Sequence, residues 1–133
     1  MISDEVRSDR RYTKDHEWAK ADGGDVIVGI TAFAVDQLGD ITLVNLDVKA
    51  GDTITAGKAF GTIESVKTLS DLFAPVSGRV TRVNEVLEHK PETVNDDCYE
   101  KAWMIRVTPS DASELDGLLD AAAYTELLKS VAH

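Results

Sequence analysis

The sequence predicts a mainly β fold, a small barrel or sandwich with one short inserted helix and a helical C-terminus. Three observations carry this. The apolar runs are only a few residues long, as in "TIT", "FGTI" and "LSDLF". Glycine turn signals punctuate them, in "AGD" (50–52), "AGK" (56–58), "FG" (60–61) and "SGR" (77–79). Short strands with turns at a spacing of roughly eight to twelve residues describe an all-β barrel or sandwich rather than a βαβ fold. A chain of 133 residues fits one compact domain, here residues 1–133.

In order along the chain, residues 1–23 form an N-terminal segment ahead of a core over about 24–109. "GDVIVGI" (24–30) is apolar at Val26, Val28 and Ile30 and again at Ile27, so it reads as a strand buried on both faces. "TAFAVDQLG" (31–39) offers Thr31 as a helix N-cap, Phe33, Ala34 and Leu38 at helical spacing, and Gly39 as the terminating residue. "ITLVNLDV" (41–48) returns to a two-residue period, with Val44, Leu46 and Val48 on one side. Two β-runs over 58–64 and 69–74 flank Ser65, Val66, Lys67 and Thr68, which predicts a hairpin with Lys67 at its tip. The four residues lack the Asn-Gly or Asp-Gly of a two-residue turn, so a four-residue loop around a type I turn is expected. "RVTRVNEV" (79–86) is another short apolar run, and "AWMIRVTP" (102–109) supplies a strand that stops at Pro109. In the C-terminal segment, 110–133, Asp111 and Glu114 resemble a capping pair. Asp120 caps a helix whose Tyr124, Leu127, Leu128 and Val131 share one face, and that face is expected to dock on the barrel.

Composition narrows the function. The 24 acids against 14 bases give a net charge of −10, and no basic cluster interrupts the acidic surface, so nucleic acid is an unsuitable partner. No apolar run approaches the roughly 20 residues of a membrane-spanning helix, so no membrane role is expected. "MISDEVRSDRRYTKDHEW" lacks the apolar core of a secretory signal, and Asp4, Glu5 and Asp9 argue against a transit peptide, which predicts a chain already in its working compartment. The single Cys98 has no intramolecular disulfide partner, which suits a reducing compartment, and three scattered histidines offer no zinc-site spacing.

Motifs for catalysis are missing. "HEWAK" (16–20) has Lys20 where a zinc-protease helix needs its second histidine, so the expectation is that Trp18 packs on the barrel with His16 and Glu17 at its rim. Neither a nucleophile elbow, a phosphate-binding loop nor a dinucleotide fingerprint is present. Asp96 and Asp97 beside Cys98 disfavour its thiolate. What is left is Lys67. A lysine amine with a pKa near 10.4 is a solvated cation at neutral pH, and most lysines at hairpin tips simply keep a sheet soluble and unpaired.

The stretch "FGTIESVKTLSDLFAPVSGRV" changes that reading, because it resembles the lipoyl-attachment segment of the glycine cleavage system H-protein family. The resemblance runs through Glu64, Ser65, Val66 and Lys67, then Ser70-Asp71 and "APVSG" (74–78), with the lysine at the position this family modifies. "YTKDHEW" (12–18), "VGIT" (28–31), "QLGDI" (37–41), "VNEVLE" (83–88), "VN" (94–95), "WMI" (103–105) and "SELDGLLDAAAYTELL" (113–128) follow in the family's order. The resemblance implies a barrel-sandwich hybrid of the lipoyl/biotinyl kind, with (R)-lipoate joined to Lys67 as N6-lipoyl-lysine. Acylation would remove the lysine charge and give a flexible arm of roughly a dozen ångströms. It implies a carrier without catalysis of its own, since the cofactor brings the chemistry. That carrier would take an aminomethyl group from a pyridoxal-phosphate-dependent glycine dehydrogenase (decarboxylating) to a tetrahydrofolate-dependent aminomethyltransferase, with reoxidation by dihydrolipoamide dehydrogenase. Glu64, Ser65 and Val66 would be read by lipoylating enzymes, and Glu17 and Asp71 would line the cleft that the arm visits. A monomer in the bacterial cytoplasm is expected, with the mitochondrial matrix as the alternative.

The chain departs from the family's usual pattern at Cys98-Tyr99 and Ala102-Trp103, and it reaches Gly51-Asp52 one residue late and without the usual proline. The neighbours Val66 and Thr68 speak against a biotinyl domain, whose lysine lies between methionines. An H-like protein that relays lipoate to 2-oxoacid dehydrogenase acyltransferase subunits is the alternative function, and Glu17 with Asp71 favours glycine cleavage over it.

Overall fold

The computed structural model describes residues 6–131, apart from the side chain of Val131. Along them run β1 (Arg11–Tyr12), β2 (Glu17–Asp22), β3 (Asp25–Ile30), α1 (Ala32–Leu38), β4 (Ile41–Leu46), β5 (Thr53–Ile54), β6 (Ala59–Ser65), β7 (Leu69–Phe73) and β8 (Gly78–Val83). Then come α2 (Val86–His89), α3 (Thr93–Asp96), β9 (Ile105–Pro109), α4 (Ser113–Asp116) and α5 (Ala121–Val131). The strands form two antiparallel sheets, one in the order β1-β2-β3-β9-β8-β5 and one in the order β4-β6-β7. Their apolar faces share one core, to which the larger sheet gives Val26, Val28, Val80 and Val107 and the smaller gives Val44, Phe60, Ile63 and Leu72. This is the barrel-sandwich architecture expected above, with its inserted helix and helical C-terminus.

The first hairpin of the larger sheet runs across the core boundary expected at about residue 24. β2 pairs with β3 along its whole length, from Glu17↔Ile30 to Asp22↔Asp25, and the boundary would cut the hairpin at its turn. Gly23 and Gly24 hold φ of 58° and 89° there, as a type I′ two-residue turn requires. The charges in "EWAKAD" mask this strand in sequence, yet Trp18 and Ala19 are buried. Residues before β2 are tied down as well. The guanidinium of Arg10, itself buried, lies 4.6 Å from the Trp18 ring centroid and donates to the Tyr99 carbonyl at 2.8 Å.

α1 matches its local chemistry. Thr31 accepts the Ala34 N–H at 3.2 Å, and Gly39 ends the helix with φ 82°. Seven residues are too few for a helix to stand alone in water, so docking of Ala32, Phe33, Val35 and Leu38 holds it in place. β4 ends at Leu46, leaving Val48 half-buried beyond it. The run 79–86 is a strand only to Val83, because Asn84 turns the chain. Its amide donates to the carbonyls of Lys101 and Trp103 while its oxygen accepts the Val86 N–H. β9 starts at Ile105 rather than 102, since Ala102 and Trp103 bond back to Asp97 and Glu100 instead of to a strand.

The capping pair at Asp111 and Glu114 does not form. Asp111 accepts the N–H and hydroxyl of Ser113, while Glu114 reaches Ser77, accepting its N–H at 2.8 Å. Asp120 does cap α5, through the Ala123 N–H at 2.8 Å. α5 docks by Tyr124 and Leu128, both buried, with Leu127 half-buried. The Tyr124 ring stacks on Tyr12 with centroids 4.5 Å apart.

Candidate functional site

Lys67 stands where the sequence places it, exposed at the tip of the β6–β7 hairpin, which pairs Glu64 with Leu69 as its last rung. At the turn the Ser65 N–H donates to the Thr68 carbonyl at 2.8 Å, and the Ser65 hydroxyl oxygen accepts the N–H groups of Lys67 (3.3 Å) and Thr68 (3.2 Å). Ser65 is buried and shapes the tip from within. The Val66 N–H donates to the Asp40 carbonyl at 3.0 Å, which fastens the tip to the corner between α1 and β4.

That corner is itself held. Asn95 donates to the Gly39 carbonyl and accepts the Ile41 N–H, both at 2.9 Å. A Cβ on Gly39 would sit 3.4 Å from Lys67 Cε, so the lysine stem lies over this glycine. Asn95 was visible in sequence only as part of "VN", with no role attached. Around the lysine the surface is apolar and acidic together. Val66 and Leu69 are 69% and 62% exposed, and in register Glu64 lies between Leu43 and Leu69.

Beside the hairpin a cleft of about 160 Å³ opens between α1 and the smaller sheet, with walls that include Ala34, Leu38, Ile63 and Leu72. Glu17 and Asp71 both line it, so two residues 54 positions apart in sequence meet here. Their settings differ. Asp71 is exposed on edge strand β7, where it pairs with Thr62. Glu17 is not at a rim, as the sequence suggested, but only 2% exposed. The register Glu17↔Ile30 turns it under the sheet, where Oε1 accepts the Thr13 hydroxyl at 2.7 Å and Oε2 the Phe73 N–H at 3.3 Å. Two donors do not offset the lost hydration, and burial pushes this carboxyl up to about 7. A cation entering the cleft would draw the proton back off.

His16 also lines the cleft and was not singled out for it in sequence. It holds φ 71°, the one positive φ at a non-glycine among the described residues. Its ring packs on Phe33 with centroids 4.6 Å apart, and burial lowers its pKa. Cys98 is buried beside Trp18, whose indole N–H donates to its carbonyl at 3.1 Å. Among the described residues no three His, Cys, Asp or Glu side chains gather as a metal site, and no helix is long and apolar enough to cross a membrane.

A lipoyl group on Lys67 would fit this arrangement, since the residue is exposed on a braced tip and the adjoining cleft is apolar along the walls with one buried carboxyl and one exposed one.

The family model described as "Glycine cleavage H-protein" matches residues 10–131. The glycine cleavage system H protein of Myxococcus xanthus is 46% identical over 129 residues, covering 97% of this chain and 99% of that one. The H protein of Bacillus licheniformis is 53% identical over 119 residues, covering 90% and 93%. The crystal structure of a glycine cleavage system H protein from Mycobacterium marinum superposes with a TM-score of 0.83 at 39% identity, over 96% of this chain and all of that one. The family match extends from the N-terminal strands to α5 and takes in hairpin and cleft alike, so this chain belongs to the glycine cleavage H-protein family.

Proposed function

We propose that this protein is the lipoyl carrier of the glycine cleavage system and not itself an enzyme, with Lys67 as the lipoylated residue. The observation that carries the reading is an exposed lysine on a braced hairpin whose own strands line an acidic cleft. Lipoate, when bound, supplies a disulfide that takes up an aminomethyl group as it opens and is afterwards reoxidised from the dithiol. The residues of this chain do the rest. Lys67 Nζ forms the amide, and Ser65 and Asp40 present it to the lipoylating enzyme at a fixed angle. Glu17, giving up its proton to solvent as an ammonium arrives, holds that cation on a carboxylate that is itself buried, and Asp71 adds a negative rim. The partners on this reading are glycine dehydrogenase (decarboxylating), aminomethyltransferase and dihydrolipoamide dehydrogenase, met in the cytoplasm.

Intact mass after co-expression with a lipoylating enzyme tests the attachment site: one lipoyl group on the wild type and none on Lys67→Ala. Reconstituted glycine decarboxylation with the partner dehydrogenase tests the role. Unmodified wild-type protein would sink the carrier reading. Lipoyl relay to acyltransferase subunits with no support of decarboxylation would hand the function to the relay alternative.

A further inference from the structure

On that reading of the cleft, we propose that Tyr124 of α5 is a positioning residue for the arm site, acting through its hydroxyl on His16 and Thr31. Tyr124 is fully buried, and its oxygen lies 2.8 Å from His16 Nδ1 and 2.8 Å from Thr31 Oγ1. These two partners govern two different walls. His16 belongs to the loop that delivers Glu17, and Thr31 caps α1, which contributes Ala34, Gln37 and Leu38. Each wall is weak alone, one carried on a positive φ at His16 and the other on a seven-residue helix.

On this proposal Thr31 Oγ1, which accepts the Ala34 N–H, donates its proton to the Tyr124 oxygen, and the Tyr124 hydroxyl donates to His16 Nδ1, favouring the neutral Nε2–H tautomer. The hydroxyl has no freedom to swing away, because the Tyr124 ring is stacked on Tyr12 at an interplanar angle of 6°. A residue of the C-terminal helix thereby holds together a cleft it does not line.

Tyr124→Phe keeps the ring and removes the bonds. Nitrogen NMR of His16 in the unlipoylated protein is expected to show a hydrogen-bonded Nδ1 and an Nε2–H in the wild type, with that bias lost in the variant. An unchanged tautomer would overturn the proposal without reference to any cargo. In lipoylated protein, the half-life of the aminomethyl-loaded form should fall about fivefold or more, the equivalent of at least one hydrogen bond of about 1 kcal/mol. Val107→Ala, a core position on β9 that does not line the cleft, controls for stability and should leave that half-life alone. If it shortens the half-life equally, the effect is mere loosening and the proposal fails. If Glu17→Ala shortens the half-life and Tyr124→Phe does not, Tyr124 has no positioning role and the cleft reading stands. If neither does, the cleft reading falls and takes this proposal with it.

Discussion

Glu17 gives the protein a proton that the fold holds more tightly than the unfolded chain does. Burial favours the neutral acid, so between about 4.5 and about 7 the native state binds more protons than the unfolded one. Stability contributed at this position therefore falls as pH rises through that window, by at most about 1.4 kcal/mol per unit. His16 acts oppositely, since burial lowers its pKa and the unfolded chain binds the extra proton as pH drops below about 6.5. Glu17→Gln isolates the first effect because His16 is common to both proteins. The variant is expected to gain on wild type by about 1–3 kcal/mol between pH 5 and pH 8, read from urea unfolding at each pH. Parallel pH profiles would mean that Glu17 is ionised in the free protein at neutral pH.

Among the elements, the β2–β3 hairpin shows how a glycine makes room for an aromatic. Trp18 and Gly29 are register partners, and a Cβ on Gly29 would stand 2.5 Å from Trp18 Cζ2. Gly29→Ala is expected to cost about 1–3 kcal/mol by overpacking, against about 1 kcal/mol for Gly24→Ala, which meets open space and loses only its left-handed turn. The first cost should shrink when Trp18→Phe is added, and a double-mutant cycle in urea detects that coupling. Additive energies would show that the indole moves aside freely. The hairpin also marks what was legible in the sequence. α1 was readable because Thr31 and Gly39 specify both ends with local bonds. β2 was not, because only Trp18 and Ala19 tell of burial among its charges. α2 and α3 are four residues each, and the chain around them is set by Asn84 and Asn95 reaching carbonyls 17 to 56 positions away, which no local pattern encodes. At the site, Lys67 was legible from its flanking motif, whereas the burial of Glu17 and the part of His16 depend on register and on a helix at the far end of the chain.

For the molecule as a whole, the segment Cys98-Tyr99 is where distant parts of the chain are joined. Trp18 of β2 donates to the Cys98 carbonyl, Arg10 of the N-terminal segment donates to the Tyr99 carbonyl, and Ala32 of α1 donates to the Tyr99 hydroxyl at 3.2 Å. Burial also pushes the Tyr99 phenol up, so it stays a neutral hydroxyl across the working pH range. Exposing the Cys98 thiol then requires the β2 face, the N-terminal segment and α1 to separate together, which amounts to unfolding the core rather than fraying an edge. A thiol-reactive dye should accordingly label the native protein only through that opening. Its rate relative to the rate in urea yields an opening free energy expected to match the global unfolding free energy within about 1 kcal/mol when reclosing outpaces labelling. The same match should survive Tyr124→Phe, with both energies falling together. Labelling far faster than global unfolding allows would show that the Cys98 region opens on its own, and the three bonds that converge there would then not join the fold into one cooperative unit.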